Sequence, residues 1–304
     1  MILITGGLGF IGTHTTRALL DLGESCVLVQ RRQGASADER VVVEQADLTD
    51  ERALLSIGER HKITGIVHLA GSMPWPPGGH EPAEGAERAL KSLFNVFRAA
   101  QEWQVSRVGL ASTIGVYLGA SGESPFAEDV PLPMTVAHPI PGFKKIGELI
   151  TDHLAGAMGI DAVTYRIGAI WGPGGHTPSP FFGAPQLVHA AAHGTDHGDL
   201  RAGDGMDLLY ARDCGRAIAL LQLAERLRHR TYNVASGRRT TNGEVAAAIA
   251  KLVPGARPHL TESPETGLWL DVTRLREDTG FEPEYDTGRG AADYLAWLGA
   301  GNPR

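Results

Sequence analysis

Short apolar runs alternate along the chain with longer stretches in which apolar residues recur every three or four positions. The short runs fit strands buried on both faces and the longer stretches fit amphipathic helices, so their alternation implies βαβ units around a parallel sheet. Strands are expected at residues 1–5, 25–30, 41–46, 65–70, 107–111 and 162–167, and helices at 10–22, 81–103 and 142–158. Beyond about residue 165 the rhythm breaks. Residues 172–206 are rich in Gly, Pro and His around one helical stretch at 185–193, and further helices are expected at 212–226 and 241–252, with a short strand at 231–234. The expected fold is α/β: a Rossmann-type doubly wound parallel sheet over residues 1–165 and a smaller C-terminal substrate-binding lobe over 166–304, with some segments of the latter returning to the main domain.

Composition narrows the function classes. With 304 residues, 42% hydrophobic and 21% charged, the chain has the make-up of an ordinary globular protein with a large core. A formal net charge of -7 argues against nucleic acid or an anionic membrane as partner, since both favour a basic face. No apolar run approaches the roughly 20 residues needed to span a bilayer. Residues 1–4 run directly into glycines rather than into an export signal, so a cytoplasmic location is expected. Cys26 and Cys214 are too few for a disulfide framework or a metal cluster and read as core thiols. His189 and His193 stand at i, i+4 spacing but no third ligand is evident, so no metal is expected.

The strongest chemical signal is Thr5-Gly6-Gly7-Leu8-Gly9-Phe10-Ile11-Gly12, which follows an apolar strand and opens an amphipathic helix. In that context Gly6 permits a tight turn, Gly9 lets backbone N–H groups approach a pyrophosphate, and Gly12 lets helix and strand pack closely. The helix N-terminus adds partial positive charge.

The Thr-Gly-x-x-Gly-x-x-Gly spacing resembles the extended short-chain dehydrogenase/reductases, the NAD(P)-dependent epimerase/dehydratase group, and further stretches match in the same order. Asp47-Leu48 resembles the pair that meets adenine, and His68-Leu69-Ala70-Gly71 resembles the strand end lining the cofactor. Asn95 stands at a structural Asn, and Ser112-Thr113-x-x-Val116-Tyr117 resembles the stretch after the fifth strand. Arg166 through Trp171-Gly172-Pro173, Tyr232-Asn233-Val234 with Ser236-Gly237, and Asp271 to Gly280-Phe281-x-Pro283 with Trp297 complete a resemblance over nearly the whole chain. It implies a dinucleotide held by Gly6, Gly9, Phe10, Ile11, Gly12, Gln30, Arg31, Arg32, Asp47, Leu48, Leu69, Ala70, Gly71, Ser112 and Lys144. It also implies a homodimer paired through the helices at 81–103 and 142–158.

An acidic residue closing the second strand normally binds the adenosine ribose and selects NAD. Here the strand ends Gln30-Arg31-Arg32, with no carboxylate to repel a 2′-phosphate and two guanidiniums to bind one, so NADP(H) is favoured and NAD remains open.

In the family a Tyr-x-x-x-Lys pair performs the chemistry, with a Ser or Thr orienting the substrate oxygen. Thr113 fits the last role and Lys144, followed by Glu148, fits the lysine. Counting back four gives Ile140 from Lys144, or Pro141 from Lys145, and neither is a phenol. Counting forward from Pro131 lands on His138, which suggests a local insertion of about two residues carrying Pro139 and Pro141. Histidine as a residue type can exchange protons near neutral pH, so His138 is the candidate substitute acid/base; a loop histidine without a role is the alternative. Tyr117 ranks below it, because the family keeps a tyrosine there beside the catalytic one.

The expected substrate is a small hydroxyl or keto compound. Ala169 replaces a family Asn and Met206 a family Arg, both of which hold a diphosphate, so a nucleotide sugar is not expected. Arg201, Arg212, Arg238 and Arg239 could compensate, or could be surface arginines. Ser72, Trp75, Thr113, Ala169 and Trp171 are the candidate substrate contacts, with Phe181 and Phe182 nearby; the aromatics fit either a pocket wall or a core. Three readings stay open: hydride transfer in reduction, oxidation or epimerisation; a non-redox elimination, cyclisation or isomerisation; and a cofactor-sensing protein without chemistry.

Overall fold

The computed structural model describes all residues except 72–81, 137, 176–180, 257 and 304. The elements run β1 (Ile2–Thr5), α1 (Phe10–Asp21), β2 (Cys26–Gln30), β3 (Val41–Gln45), α2 (Glu51–Arg60), β4 (Gly65–His68), α3 (Pro82–Glu102), β5 (Arg107–Ala111), a 3-10 turn (Ile114–Tyr117), α4 (Pro139–Met158) and β6 (Ala162–Ile167). They continue through β7 (Ala169–Trp171), α5 (Ala184–His193), β8 (Gly205–Met206), β9 (Leu208–Tyr210), α6 (Ala211–Leu223), β10 (Thr231–Val234), β11 (Thr240–Thr241), α7 (Asn242–Leu252), α8 (Thr273–Thr279) and α9 (Thr287–Gly299).

Seven strands form one parallel sheet in the order β10-β6-β5-β4-β1-β2-β3. Central strands such as β1 and β5 are buried along their whole length because helices cover both faces. On one face Leu19 and Leu20 of α1 share a core with Ala217, Ile218 and Leu221 of α6. On the other, Leu54 and Ile57 of α2, Leu93 and Phe97 of α3 and Ala155 of α4 pack together. From β1 the chain winds outward through β2 and β3, then returns to start the other half at β4. The winding therefore reverses between β1 and β4, and the crevice outside their carboxyl ends is where such sheets bind ligands.

Several short elements of the second lobe, with α8 and α9, were not expected, and two differences bear on the main domain. The ten-residue α2 was not expected; its N-cap Asp50 accepts from Ala53 N at 3.1 Å, and Arg60 stands in its last turn. Helix α4 starts at Pro139, three residues earlier than expected, with proline in its first turn. Proline fits there because the first helical N–H groups have no partner within the helix. The two prolines therefore lie in the first turn of the helix, and Ile140 lies one turn before Lys144 on the same helix.

The remaining segments build the second lobe. Strand β7 pairs in parallel with β9, and β8 pairs antiparallel with β11. Trp171, Leu187, Val245, Ile249 and Tyr294 form a core of their own beneath α5, α7 and α9. Helix α7 starts at a capping box in which Thr241 and Glu244 satisfy each other's backbone N–H. Among the described residues no helix is long and apolar enough to cross a membrane.

Candidate active site

The glycine run lies at the end of β1, inside the crevice. Gly6 has φ +71°, and a Cβ there would stand 3.2 Å from Ala70 N. At Gly12 a Cβ would meet Gly6 O at 2.2 Å and Gly7 Cα at 2.7 Å, so only glycine lets α1 sit this close to the loop. The α1 N-cap is Gly9, with no side chain capping the helix and no acidic residue in its first turn. Its first N–H groups and partial positive charge therefore face the crevice, as a bound pyrophosphate requires. Gln30, closing β2, accepts from Gly7 N and Leu8 N, both at 2.8 Å, and so fixes the loop from the strand that carries the ribose-contact position. Arg31 and Arg32 follow it, exposed. These residues fit a dinucleotide.

Beyond β3, Asp47 accepts from Thr49 N at 2.9 Å and from Arg88 Nη2 at 2.7 Å. Partial burial opposes its charge, but these bonds outweigh it and hold the carboxyl at about 2. Leu48 is buried, and its carbonyl accepts from Asn95 Nδ2 at 2.8 Å, which gives Asn95 its structural role. Arg88 carried no signal in the sequence, being one basic residue among several on α3.

Across β4, Ala70 N donates to Thr5 Oγ1 at 3.1 Å, and that hydroxyl also hydrogen-bonds His68 Nδ1 at 2.8 Å. Burial and the nearby Lys144 push His68 down to about 3, so it is neutral. Ala70 and Gly71 then line a cavity of about 170 Å³ with Leu110, Ala111, Ile140, Phe143 and Lys144. The Lys144 ammonium turns inward and donates to Ala111 O at 2.7 Å. Lys145 turns away and donates to Pro133 O and Thr135 O, so of the two lysines it is Lys144 that lines this cavity.

Thr113 caps the 3-10 turn, its hydroxyl accepting from Gly115 N at 3.2 Å, and Gly115 lies against Pro141 in the first turn of α4. Ser112 is buried beside it and donates to Glu148, whose carboxylate is also gripped by Arg166 Nη2 at 2.8 Å. Arg166 Nη1 donates to Tyr117 OH at 2.8 Å, and that phenol donates to Asn233 Oδ1 at 2.8 Å. Burial raises Tyr117 to about 12, with Arg166 opposing. Committed to this network, Tyr117 ties β5, β6 and β10 together rather than opening into the lysine cavity.

His138 is the N-cap of α4 and stacks on Phe181 at 5.4 Å between ring centroids; it is not among the residues lining the cavity that holds Lys144. Ser72 and Trp75 lie outside the described residues. Ala169 and Trp171 are buried in β7, and Trp171 meets Tyr210 edge-on at 5.4 Å in the lobe core. Phe182 packs against the same core, whereas Phe181 is 46% exposed. Cys26 and Cys214 are buried thiols. His189 bonds Tyr294 OH at 2.8 Å, and the described residues hold no metal-ligating group of three. Of the arginines considered for a diphosphate, Arg212 pairs with Asp293, Arg238 with Glu244 and Arg239 with Glu265.

Residues 2–235 match the model of the NAD dependent epimerase/dehydratase family, and the chain belongs to that family of enzymes. A UDP-glucose 4-epimerase of Azospirillum brasilense is 25% identical, covering 94% of this chain and 88% of that protein. A UDP-glucuronate 4-epimerase of Thermodesulfobacterium geofontis is 23% identical, covering 97% and 95%. The structure of a Bifidobacterium longum UDP-glucose 4-epimerase in complex with NAD+ and UDP superposes with a TM-score of 0.83 at 20% identity, covering 99% and 98%, which confirms the fold.

These relatives overturn the expectation that a nucleotide sugar is excluded. That expectation rested on two side chains, Ala169 and Met206. A diphosphate can be held by backbone N–H groups and cations from several segments, so the loss of two donors does not remove the ligand class. Ala169 is buried in β7, and Met206 packs against the lobe core.

Proposed function

We propose that this enzyme uses NADP(H) to move a hydride from and back to a carbinol carbon of a nucleoside-diphosphate sugar, in the manner of an epimerase. The observation that carries this reading is the juxtaposition at the switch of the sheet. Ala70 stands against Gly6 of the phosphate cradle and also lines the cavity that holds Lys144, so one extended cofactor could reach both. When bound, the nicotinamide supplies the hydride acceptor and donor. Lys144 holds the nicotinamide ribose, Thr113 orients the substrate hydroxyl, and the second lobe encloses the sugar nucleotide, with His138 and Phe181 at its border with α4. The nucleotide-sugar assignment draws on the full-length likeness to the UDP-sugar epimerases.

NADP(H) is preferred in this reading because Gln30 offers no charge to repel a 2′-phosphate, while Arg31 and Arg32 stand exposed beside it. The enzyme acts as a homodimer paired through α3 and α4, where Phe94, Ile146 and Leu149 are 38%, 40% and 67% exposed. The test is incubation with UDP-glucose, UDP-glucuronate and dTDP-glucose, each with NADP+ or NAD+, followed by NMR of the sugar. Epimer formation supports the reading. Binding of the dinucleotide without any turnover would leave a cofactor-binding protein and sink it.

A further inference from the structure

Among the described residues, no phenol lines the cavity between β4, β5, α3 and α4. The position one turn before Lys144, from which a family tyrosine would meet the substrate, is Ile140, and Ile140 lines the cavity with Phe143 and Leu110. Among the described residues, two titratable side chains line it, Lys144 and His68. His68 is engaged by Thr5 and only 6% exposed. Lys144 spends one N–H on Ala111 O, which leaves two N–H bonds of its ammonium, or one N–H and a lone pair of its amine, for a ligand. The phenol at 117 is committed to Arg166 and Asn233.

We infer that Lys144 itself exchanges the proton with the substrate hydroxyl, the task a phenol at position 140 would otherwise perform. The inference rests on the hydride-transfer reading and deepens it. In the oxidative half, the carbinol C–H bond breaks and its electron pair leaves with the hydrogen to the oxidised nicotinamide. The O–H bond breaks, its proton goes to the Lys144 lone pair, and the C=O bond forms. In the reductive half the ammonium returns the proton as hydride adds to the other face of the carbonyl, so atoms and charge balance over the cycle.

The surroundings suit an amine that must be neutral part of the time. Glu148, one turn along α4, is taken by Ser112 and Arg166. Among the described residues, the lysine's cavity is lined from β4 by neutral His68, from β5 by Leu110 and Ala111, and from α3 by Ala89, Leu90 and Leu93. Burial lowers Lys144 to about 8, with the charge of Glu148 acting in the opposite sense. The amine form, which accepts the proton, therefore grows as pH rises through that value.

The chain has five lysines (Lys62, Lys91, Lys144, Lys145 and Lys251), so 13Cε-lysine NMR of the full protein saturated with NADP+ can follow each one. The expected result is one signal with a midpoint near 8 that is missing from Lys144→Arg. Ordinary midpoints for every lysine would overturn the inference whatever the substrate proves to be. On UDP-glucose at saturating NADP+, Lys144→Arg is expected to lose about 100-fold or more in kcat. His138→Ala is expected to keep turnover within a few-fold. Full turnover by Lys144→Arg, or loss of turnover in His138→Ala alone, would overturn the inference. A wild type that turns over none of the three nucleotide sugars would fail the functional reading, and the lysine titration would still decide this inference.

Discussion

Arg166 grips Glu148 through two nitrogens, Nε at 3.1 Å and Nη2 at 2.8 Å, one helical turn past Lys144. Their side chains are 7% and 11% exposed, and the same guanidinium reaches Tyr117 and the Glu128 carbonyl. Removing one partner of such a buried pair leaves the other charge without compensation. Arg166→Met is therefore expected to cost about 3–5 kcal/mol in urea unfolding. Arg166→Lys should recover part of this, since an ammonium cannot reproduce the two-pronged contact. An unchanged midpoint in Arg166→Met would show that the network does not hold the sheet edge to α4.

Gly12→Ala places a methyl 2.2 Å from Gly6 O. Backbone lies on both sides of the contact, so α1 or the loop must move. Destabilisation of about 1–3 kcal/mol is expected from overpacking, together with at least tenfold weaker NADPH binding because the helix N-terminus leaves its place. Thermal unfolding with and without nucleotide separates the two effects.

Cofactor choice is expected to rest on the end of β2. Replacing Arg31 and Arg32 together with alanine should weaken NADPH binding about tenfold or more and leave NADH binding nearly unchanged, since each charged hydrogen bond contributes about 1.5–3 kcal/mol. Gln30→Glu should shift preference further toward NADH. Equal losses for both nucleotides in the arginine variant would mean that the two side chains do not meet the 2′-phosphate.

His68 gives the fold a pH dependence with a definite sign. Its folded value, held near 3 by burial, lies below the unfolded value of 6.5. Between those two values the unfolded chain binds a proton that the native protein does not, so stability falls on acidification, by about 1.4 kcal/mol per pH unit from this group. His68→Gln, which keeps a hydrogen-bonding partner for Thr5, should flatten the stability profile between pH 6 and 4. Profiles of equal slope would show that His68 is charged in the native state.

If the chain pairs through α3 and α4 as proposed, the pair is expected to separate when the exposed face of α4 is made acidic. Ile146→Glu with Leu149→Glu should sediment as a 32.3 kDa monomer where the wild type sediments at twice that mass. A monomeric wild type would remove α3 and α4 as the pairing face.

Much of this was legible in the chain because it depends on local chemistry. Gly6 and Gly12 are required by backbone contacts within the loop and between neighbouring strands, so their spacing carried the cradle into view. Asn95 and Leu48 were placed by family order, and their hydrogen bond explains that order. The prolines flanking Ile140 were harder to place. Proline breaks a helix interior but is at home in a first turn, and the sequence does not say which applies until the helix start is known. Helix α2 was missed although Asp50 at its start and Arg60 at its end were cap signals in plain view. The nucleotide-sugar question was beyond reach from Ala169 and Met206, because two side chains do not decide an anion site that backbone N–H groups and cations of other segments can supply.

The most direct measurement is proton NMR of UDP-glucose in D2O with the purified enzyme and NADP+. If hydride leaves and returns within one site, the C4 epimer should appear with its ring hydrogen undeuterated and without net NADPH accumulating. UDP-glucose, UDP-glucuronate and dTDP-glucose all unchanged, with NADP+ and NAD+ both shown to bind, would contradict the assignment of this site to hydride transfer on a nucleotide sugar.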